Sequence, residues 1–290
     1  MVATVVLVGI AAGGAVFVGT ILLVYFLLRN GGSFERMRQE AMGLPTAPGE
    51  LKPQLYDELL ELARSKPRKP ALLEAPLQGQ VVTIRNFSPA NDAAELHAIS
   101  CGQSKSGIYR ELVFNADEMV WRHLDHGPFE SAAKFAAGHC VDLPDNRHYV
   151  IADAASSLPI GMVSLCNHSP LDLRVEIAGL WLTPAFQGTG AMTETVLLVL
   201  QHLFQLKYRR VEWRCDGHNV RARRAGHSLG FTFEGVLRKH RVVKDCNCDT
   251  VVFALINSEW PVVEDQLKFK VAQAMAKAGT GNTQAAKKTQ

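Results

Sequence analysis

A surplus of charge is the first thing this chain lacks: 31 Lys and Arg stand against 28 Asp and Glu, a formal net charge of +3 over 290 residues. That balance leaves no footprint for bulk nucleic-acid binding, and no nucleic-acid partner is expected. A disulfide framework is missing too. The six cysteines, Cys101, Cys140, Cys166, Cys215, Cys246 and Cys248, are scattered. Four of them lie within or beside apolar runs, where buried thiols sit, and a reducing compartment suits them. No second pair follows Cys246-Asn-Cys248 at metal-ligand spacing, so that pair reads as part of a hairpin turn and no metal is expected.

Charged side chains are absent altogether from Met1 to Leu28. As a helix this run would be about 42 Å long at 1.5 Å per residue, more than a hydrocarbon core of about 30 Å. A cleaved signal peptide ordinarily has a basic leading stretch and a shorter apolar run, and neither applies here. Residues 1–28 are therefore expected to be a transmembrane anchor, with signal cleavage as the alternative. Arg29, Arg36 and Arg38 follow the run and no Lys or Arg precedes it. Basic flanks stay inside, which predicts a single-pass membrane protein whose remaining residues face the cytoplasm. Gly9 and Gly13 form a small-xxx-small pair, a route to a homodimer through the anchor, although glycine is common in membrane helices in any case.

Residues 29–79 read as a juxtamembrane linker, broken by Gly31-Gly32, Pro45, Pro48, Pro53, Pro67 and Pro70. One short amphipathic helix is expected within it, over "QLYDELLELARSK", with Leu55, Leu59, Leu60 and Leu62 apolar. Arg64, Lys66, Arg68 and Lys69 at its end either touch anionic headgroups or form a solvated helix terminus.

Residues 80–262 have the texture of a compact domain. "VVTIRNF" predicts a strand, and "PANDAAELHAIS" a helix with Asn91 or Asp92 near its cap. A second helical stretch around Ser131 to Ala137 precedes the strands "HYVIAD", "IGMVSLC" and "VEIAGLWL". A long apolar helix from Met192 to Leu206 leads to the strand "RRVEWRC" and a helix over Val220 to Leu229. "FTFEGVLRKHRVV" and "DTVVFALI" form a terminal strand pair. This order predicts an α+β (α/β) fold with a mixed central sheet flanked by helices. Trp181 and Trp213, on strands that would be neighbours, read as core. Residues 263–290 end in small, polar and basic side chains and read as a helical to disordered tail.

The glycines Gly188 and Gly190, in "TPAFQGTGAMTE", open the long helix. Backbone N–H groups from Gln187 to Met192 would point out of that helix N-terminus with the positive dipole end behind them, a geometry that suits a diphosphate. Glycine lets the backbone approach a bulky ligand. The spacing is neither the P-loop G-x-x-x-x-G-K-[ST] nor the dinucleotide G-x-G-x-x-G, so an anion site and plain punctuation both remain open.

The run from "EIAGLWLTPAFQGTGAMTETVLLVLQHLF" through "YRRVEW" to "RRAGHSLGFTFEGVLR" resembles the GNAT superfamily of acetyl-CoA-dependent N-acetyltransferases, and within it the ribosomal-protein-acetyltransferase-like (RimJ/RimL-type) branch. Gln187 and Gly190 match the first and fourth positions of its acyl-CoA motif, [QR]-x-x-G-x-[GA], while Met192 replaces the final small residue. Asn219 with "RRAGHSLGF" resembles the family's Asn-led helix, and "VWRHLDHGPFES" its substrate-side segment. The likeness covers about Val81 to Pro261 and implies a mostly antiparallel sheet.

What the resemblance implies can be placed on single residues. The backbone at Leu180, Trp181 and Leu182 should pair with the pantetheine arm. Gln187, Gly188, Thr189, Gly190, Ala191 and Met192 should hold the pyrophosphate, and Asn219 should steady the pantetheine or the acetyl end. Acetyl-CoA is the implied co-substrate, and an amine on a protein or small molecule the implied acceptor. A neutral amine attacks the thioester, which requires a base, an oxyanion donor and a proton for the thiolate. Glu176, the only carboxylate on its strand, is the candidate base through water; a solvated charge or a partner of Arg174 is the other reading. A backbone N–H near Leu182 would be the oxyanion donor. His123 and His126 either line the acceptor pocket or belong to a surface loop. Ala222 stands where the branch often has Ser, and with Met192 it keeps a non-catalytic acyl-CoA-binding module as the rival to a membrane-anchored N-acetyltransferase.

Overall fold

The computed structural model describes residue 55 and residues 57–287, with side chains as far as Lys277. The expected anchor, its Gly9–Gly13 pair and most of the linker lie outside the described residues. Among those described, no helix is long and apolar enough to cross a membrane.

Eight strands make one sheet. β1 (Leu77–Gln78), β2 (Val82–Asn86), β3 (Arg147–Asp153), β4 (Pro159–Ser169) and β5 (Arg174–Leu182) are antiparallel neighbours in chain order. β5 then pairs in parallel with β6 (Arg210–Asp216), beyond which β8 (Cys246–Ile256) and the edge strand β7 (Thr232–Val243) run antiparallel. The sheet is mixed, as the element order predicts. Its centre is covered on both faces, which is why β4 is a nearly unbroken buried run rather than an alternating one.

One face packs against α4 (Ala191–Gln205) and the terminal helix α6 (Trp260–Lys287). The other packs against α2 (Pro89–Ser100), α3 (Ala132–His139) and Trp121. The small helices α1 (Asp57–Ser65) and α5 (Val220–Ser228) complete the set. α2 starts one turn-position earlier than expected: Pro89 occupies its first turn and Ser88 is the cap residue. Asp92 instead reaches back to accept the Ser88 N–H at 2.8 Å and pairs with Arg85.

Residues 57–79, expected as linker, belong to the second of the two compact units into which the chain divides. Leu73 and Ala63 are buried, and Lys66 donates to the Leu206 carbonyl at the C-terminus of α4 while lying over the Tyr208 ring. A cation is favoured there by the negative end of the helix dipole. Lys69 pairs with Asp142, so two of the four basic residues are tied to the domain. At the other end, the segment read as a tail is helical through Lys287, because Val263, Leu267 and Val271 recur at helical spacing and bury one stripe in the core.

Candidate active site

β5 and β6 pair only from Arg174↔Arg210 to Ile177↔Trp213 and then part. Past that point β6 continues with β8 as far as Asp216↔Thr250, while β5 continues with β4 to Leu182↔Gly161. The sheet therefore opens in a V whose inner strand edges carry backbone groups without ladder partners across the gap. A bulge sharpens the opening. Between Ser164↔Ala178 and Met162↔Trp181 the β5 side holds one extra residue, with Gly179 at φ +56 supplying the left-handed conformation.

The V holds a cavity of about 280 Å³. Its walls include Leu180, Trp181 and Leu182 on β5, Trp213 on β6, Gln187, Gly188 and Met192 at the mouth of α4, and Asn219 and Ala222 at the mouth of α5. The wall facing β5 is a single π-helical turn, Asp117–Trp121, with the residues that follow it. Side chains lash this turn to the rest. Gln187 Nε2 donates to the Met119 carbonyl at 3.1 Å and to the Leu182 carbonyl at 3.0 Å. Arg221 donates to the Glu118 carbonyl at 3.0 Å, and Lys244 to the Trp121 carbonyl at 2.7 Å. Trp121 itself is anchored by its indole N–H on the Ser100 carbonyl and by ring contacts with Phe129, Phe135 and Trp181.

Seven of the residues expected in the site thus share one cavity: Leu180, Trp181, Leu182, Gln187, Gly188, Met192 and Asn219. Thr189, Gly190 and Ala191 are not on its wall. Thr189 Oγ1 donates to the Phe186 carbonyl, Gly190 is the cap residue of α4 at φ +91, and Ala191 is fully buried. Their backbone still belongs to the helix start, whose first N–H groups have no intrahelical acceptor. Asn219 Oδ1 accepts the Ala222 N–H at 3.0 Å as the cap of α5, which leaves its NH2 group and one oxygen lone pair to offer the cavity.

Glu176 lies elsewhere. It is buried opposite Glu212 on β6, accepts a hydrogen bond from Asn167 Nδ2 at 2.6 Å and stands 3.5 Å from Arg214 Nε. Burial raises its pKa despite the Asn167 bond and the Arg214 charge. Glu212 shares Arg210, Arg214 and Arg174, and its pKa falls because those guanidinium partners outweigh burial. Four residues of strand, about 13 Å at 3.3 Å each, separate Glu176 from Leu180. The structure places Glu176 as a buried carboxylate below the V, beside Arg214 rather than Arg174. The parallel register sets this, since it brings Glu176 opposite Glu212 and into reach of the Arg214 side chain two residues on.

Sequence reasoning left His123 undecided, and the structure places it on the cavity wall. Its Nδ1 is 2.7 Å from Asp216 Oδ2, with both side chains about one-fifth exposed (21% and 23%). Asp216 is the last residue of β6 and is separated from His123 by 93 positions, so no local pattern announces the pair.

A sequence model of the acetyltransferase (GNAT) domain matches residues 82–232, just over half of the chain. The chain belongs to the GNAT family of acetyltransferases. Among curated proteins, it is 33% identical over 120 residues to "Probable N-acetyltransferase YjcK" of Bacillus subtilis, covering 41% of this chain and 66% of that one. It is 29% identical over 98 residues to the ribosomal-protein-serine acetyltransferase of Escherichia coli, covering 33% and 54%. The matches thus span from about half to just under two thirds of those relatives. Among solved structures, a probable GNAT-family acetyltransferase of Chromobacterium violaceum superposes with a TM-score of 0.61 at 30% identity, over 75% of this chain and 98% of that one. A GCN5-related N-acetyltransferase of Brucella melitensis gives 0.62 at 27%, over 72% and 90%. Within the described residues no group of His, Cys, Asp and Glu is arranged to hold a metal.

Proposed function

We propose that this GNAT protein transfers an acetyl group from acetyl-CoA to a primary amine by direct attack, on a protein or a small molecule. The observation that carries the reading is the V between β5 and β6, flanked by the N-terminus of α4. An extended pantetheine arm would complete the unpaired edge of β5 at Leu180–Leu182 as an added strand. The helix start from Gln187 to Met192 supplies N–H donors and a positive dipole end for the pyrophosphate. A β5 backbone N–H freed at the bulge would donate to the carbonyl oxygen as negative charge develops there.

A specific pair of residues favours the rival reading, an acyl-CoA-binding module without turnover. Ala222 and Met192 both line the cavity, one apolar where a hydroxyl would serve the thiolate, the other bulky at the diphosphate turn. Calorimetric titration with acetyl-CoA, followed by thiol release across a panel of amines, separates the two. Binding with turnover on at least one amine is expected; a peptide beginning with serine heads the panel because one relative is named for that acceptor. Binding without release from any acceptor supports the module, and no binding sinks both.

Residues 1–28 complete the proposal as a single-pass anchor holding the domain at the cytoplasmic face. The full chain should stay with membranes after alkaline carbonate extraction, and a chain starting at residue 55 should not. Release of the full chain into the supernatant would remove the anchor from the reading.

A further inference from the structure

We infer that His123, held by Asp216, is the base that takes the proton of the attacking amine, an assignment that rests on the acetyl-transfer reading above. Three observations converge on it. His123 is on the wall of the cavity that Leu180, Gln187 and Asn219 also line. Its Nδ1 is fixed at 2.7 Å from a carboxylate oxygen. And the pair sits at the level where β5 and β6 have parted, since Asp216 follows Trp213, the last β6 residue in register with β5, by three positions. Glu176, by contrast, is below the V and already bonded.

The carboxylate decides what the imidazole can do. Asp216 also accepts the His218 N–H at 2.9 Å, and hydrogen bonds from His218 and His123 outweigh burial to hold its pKa down. An ionised Asp216 accepts only, so Nδ1 must carry the hydrogen and donate it, and Nε2 is left with its lone pair as the proton acceptor. The amine nitrogen bonds to the thioester carbonyl carbon, the amine proton passes to Nε2, and the carbon–sulfur bond breaks as the carbonyl reforms. The thiolate is protonated from solvent, and the imidazolium, stabilised by Asp216, returns its proton to solvent. No oxidant or further co-reactant is required. Other charged groups around the pair are accounted for. Arg122 pairs with Asp117, Arg241 with Asp125, and Arg221 donates to the Glu118 carbonyl, while Glu118 shares the cavity wall and Cys248 approaches Asp216 from β8.

The test compares the parent chain with His123→Gln, Asp216→Asn and Glu176→Gln. Thiol release from acetyl-CoA is followed with the amine panel and with water alone as acceptor, across pH. Acetyl-CoA affinity by calorimetry and circular dichroism serve as controls for the fold. His123→Gln is expected to keep the affinity, lose about 10²–10⁴-fold in kcat, the range for removing a general base, and lose the ionisation through which the parent's rate rises with pH. Added imidazole should restore part of the rate in His123→Ala. Asp216→Asn should lower kcat less and displace the profile, and Glu176→Gln should keep the parental profile. Nitrogen-15 NMR of histidine-labelled protein should show His123 as the Nδ1–H tautomer at neutral pH. Parental rate and profile in His123→Gln, an ionisation lost in Glu176→Gln instead, or the Nε2–H tautomer would each overturn the assignment. A parent that binds no acetyl-CoA, or releases no thiol with any acceptor, fails at the transferase reading itself and takes the base with it. An active parent indifferent to His123 sinks only the base.

Discussion

Gly188 and Gly190 stand two apart in one turn and are constrained for different reasons. Both have left-handed backbone, φ +76 and φ +91. A Cβ on Gly188 would meet nothing within 4 Å, whereas one on Gly190 would lie 2.7 Å from the Cβ of Ala274 on α6. Gly188 is therefore the cleaner probe of the cavity. Gly188→Asp should cost the fold only the left-handed penalty, roughly 1–2 kcal/mol. Its carboxylate should repel a diphosphate and raise the Kd for acetyl-CoA at least tenfold, about 1.4 kcal/mol. Gly190→Ala should destabilise by about 1–3 kcal/mol, the usual cost of overpacking, since one helix must shift on the other. Thermal melts and calorimetry on both variants check this; an unchanged Kd in a folded Gly188→Asp would remove the turn from the cofactor site.

At the scale of elements, α6 is the part whose contribution is easiest to isolate. Its stripe of Trp260, Val263, Leu267 and Val271 is buried, and Trp260 stacks on Phe204 of α4 at 5.0 Å between ring centroids. Each large buried side chain lost with its cavity costs about 2–5 kcal/mol, so a chain ending at residue 259 should fail to fold or melt far lower. A chain ending after Lys277 keeps the whole stripe and should melt within a few degrees of the parent. If the shorter chain melts with the parent, α6 is not part of the domain. α1 makes the same point in miniature, because Lys66 joins it to the last carbonyls of α4.

For the molecule as a whole, buried histidines set the response to acid. His139 is enclosed by Trp121, Phe129 and Phe135, and burial pulls its pKa down to about 3. Trp181 Nε1 donates to its Nε2 at 3.3 Å, which requires the neutral ring. An unfolded chain takes up that proton near pH 6.5, so between there and about pH 3 the unfolded state binds more protons and stability falls as pH falls. The slope for one such group is up to about 1.4 kcal/mol per pH unit. Burial lowers His148, His168 and His202 as well, and they act in the same direction. Urea midpoints should drop between pH 7 and pH 5, above the carboxylate range, and His139→Gln should flatten part of that drop. A midpoint independent of pH over that interval would contradict it.

The strands and helices were legible because their signals are local. "HYVIAD" and "VEIAGLWL" are apolar runs of strand length, and a helix that begins at a Gly-x-Gly turn announces its own N-terminus. The cavity wall followed from the same stretch, since seven of the residues expected in the site lie within one β5–α4–α5 succession and needed only the fold to share a wall. Tertiary structure alone decided which ionisable groups meet. Whether a carboxylate is a base or half of an ion pair depends on which strand lies beside it, and the β5–β6 register put Glu176 against Glu212 and near Arg214. His123 and Asp216 are 93 residues apart and met only because the π turn is tied across the open end of β6 by bonds from Gln187, Arg221 and Lys244. A pattern in sequence reports the face on which a side chain stands; the partner it meets there is set by strand order, register and the loops that cross.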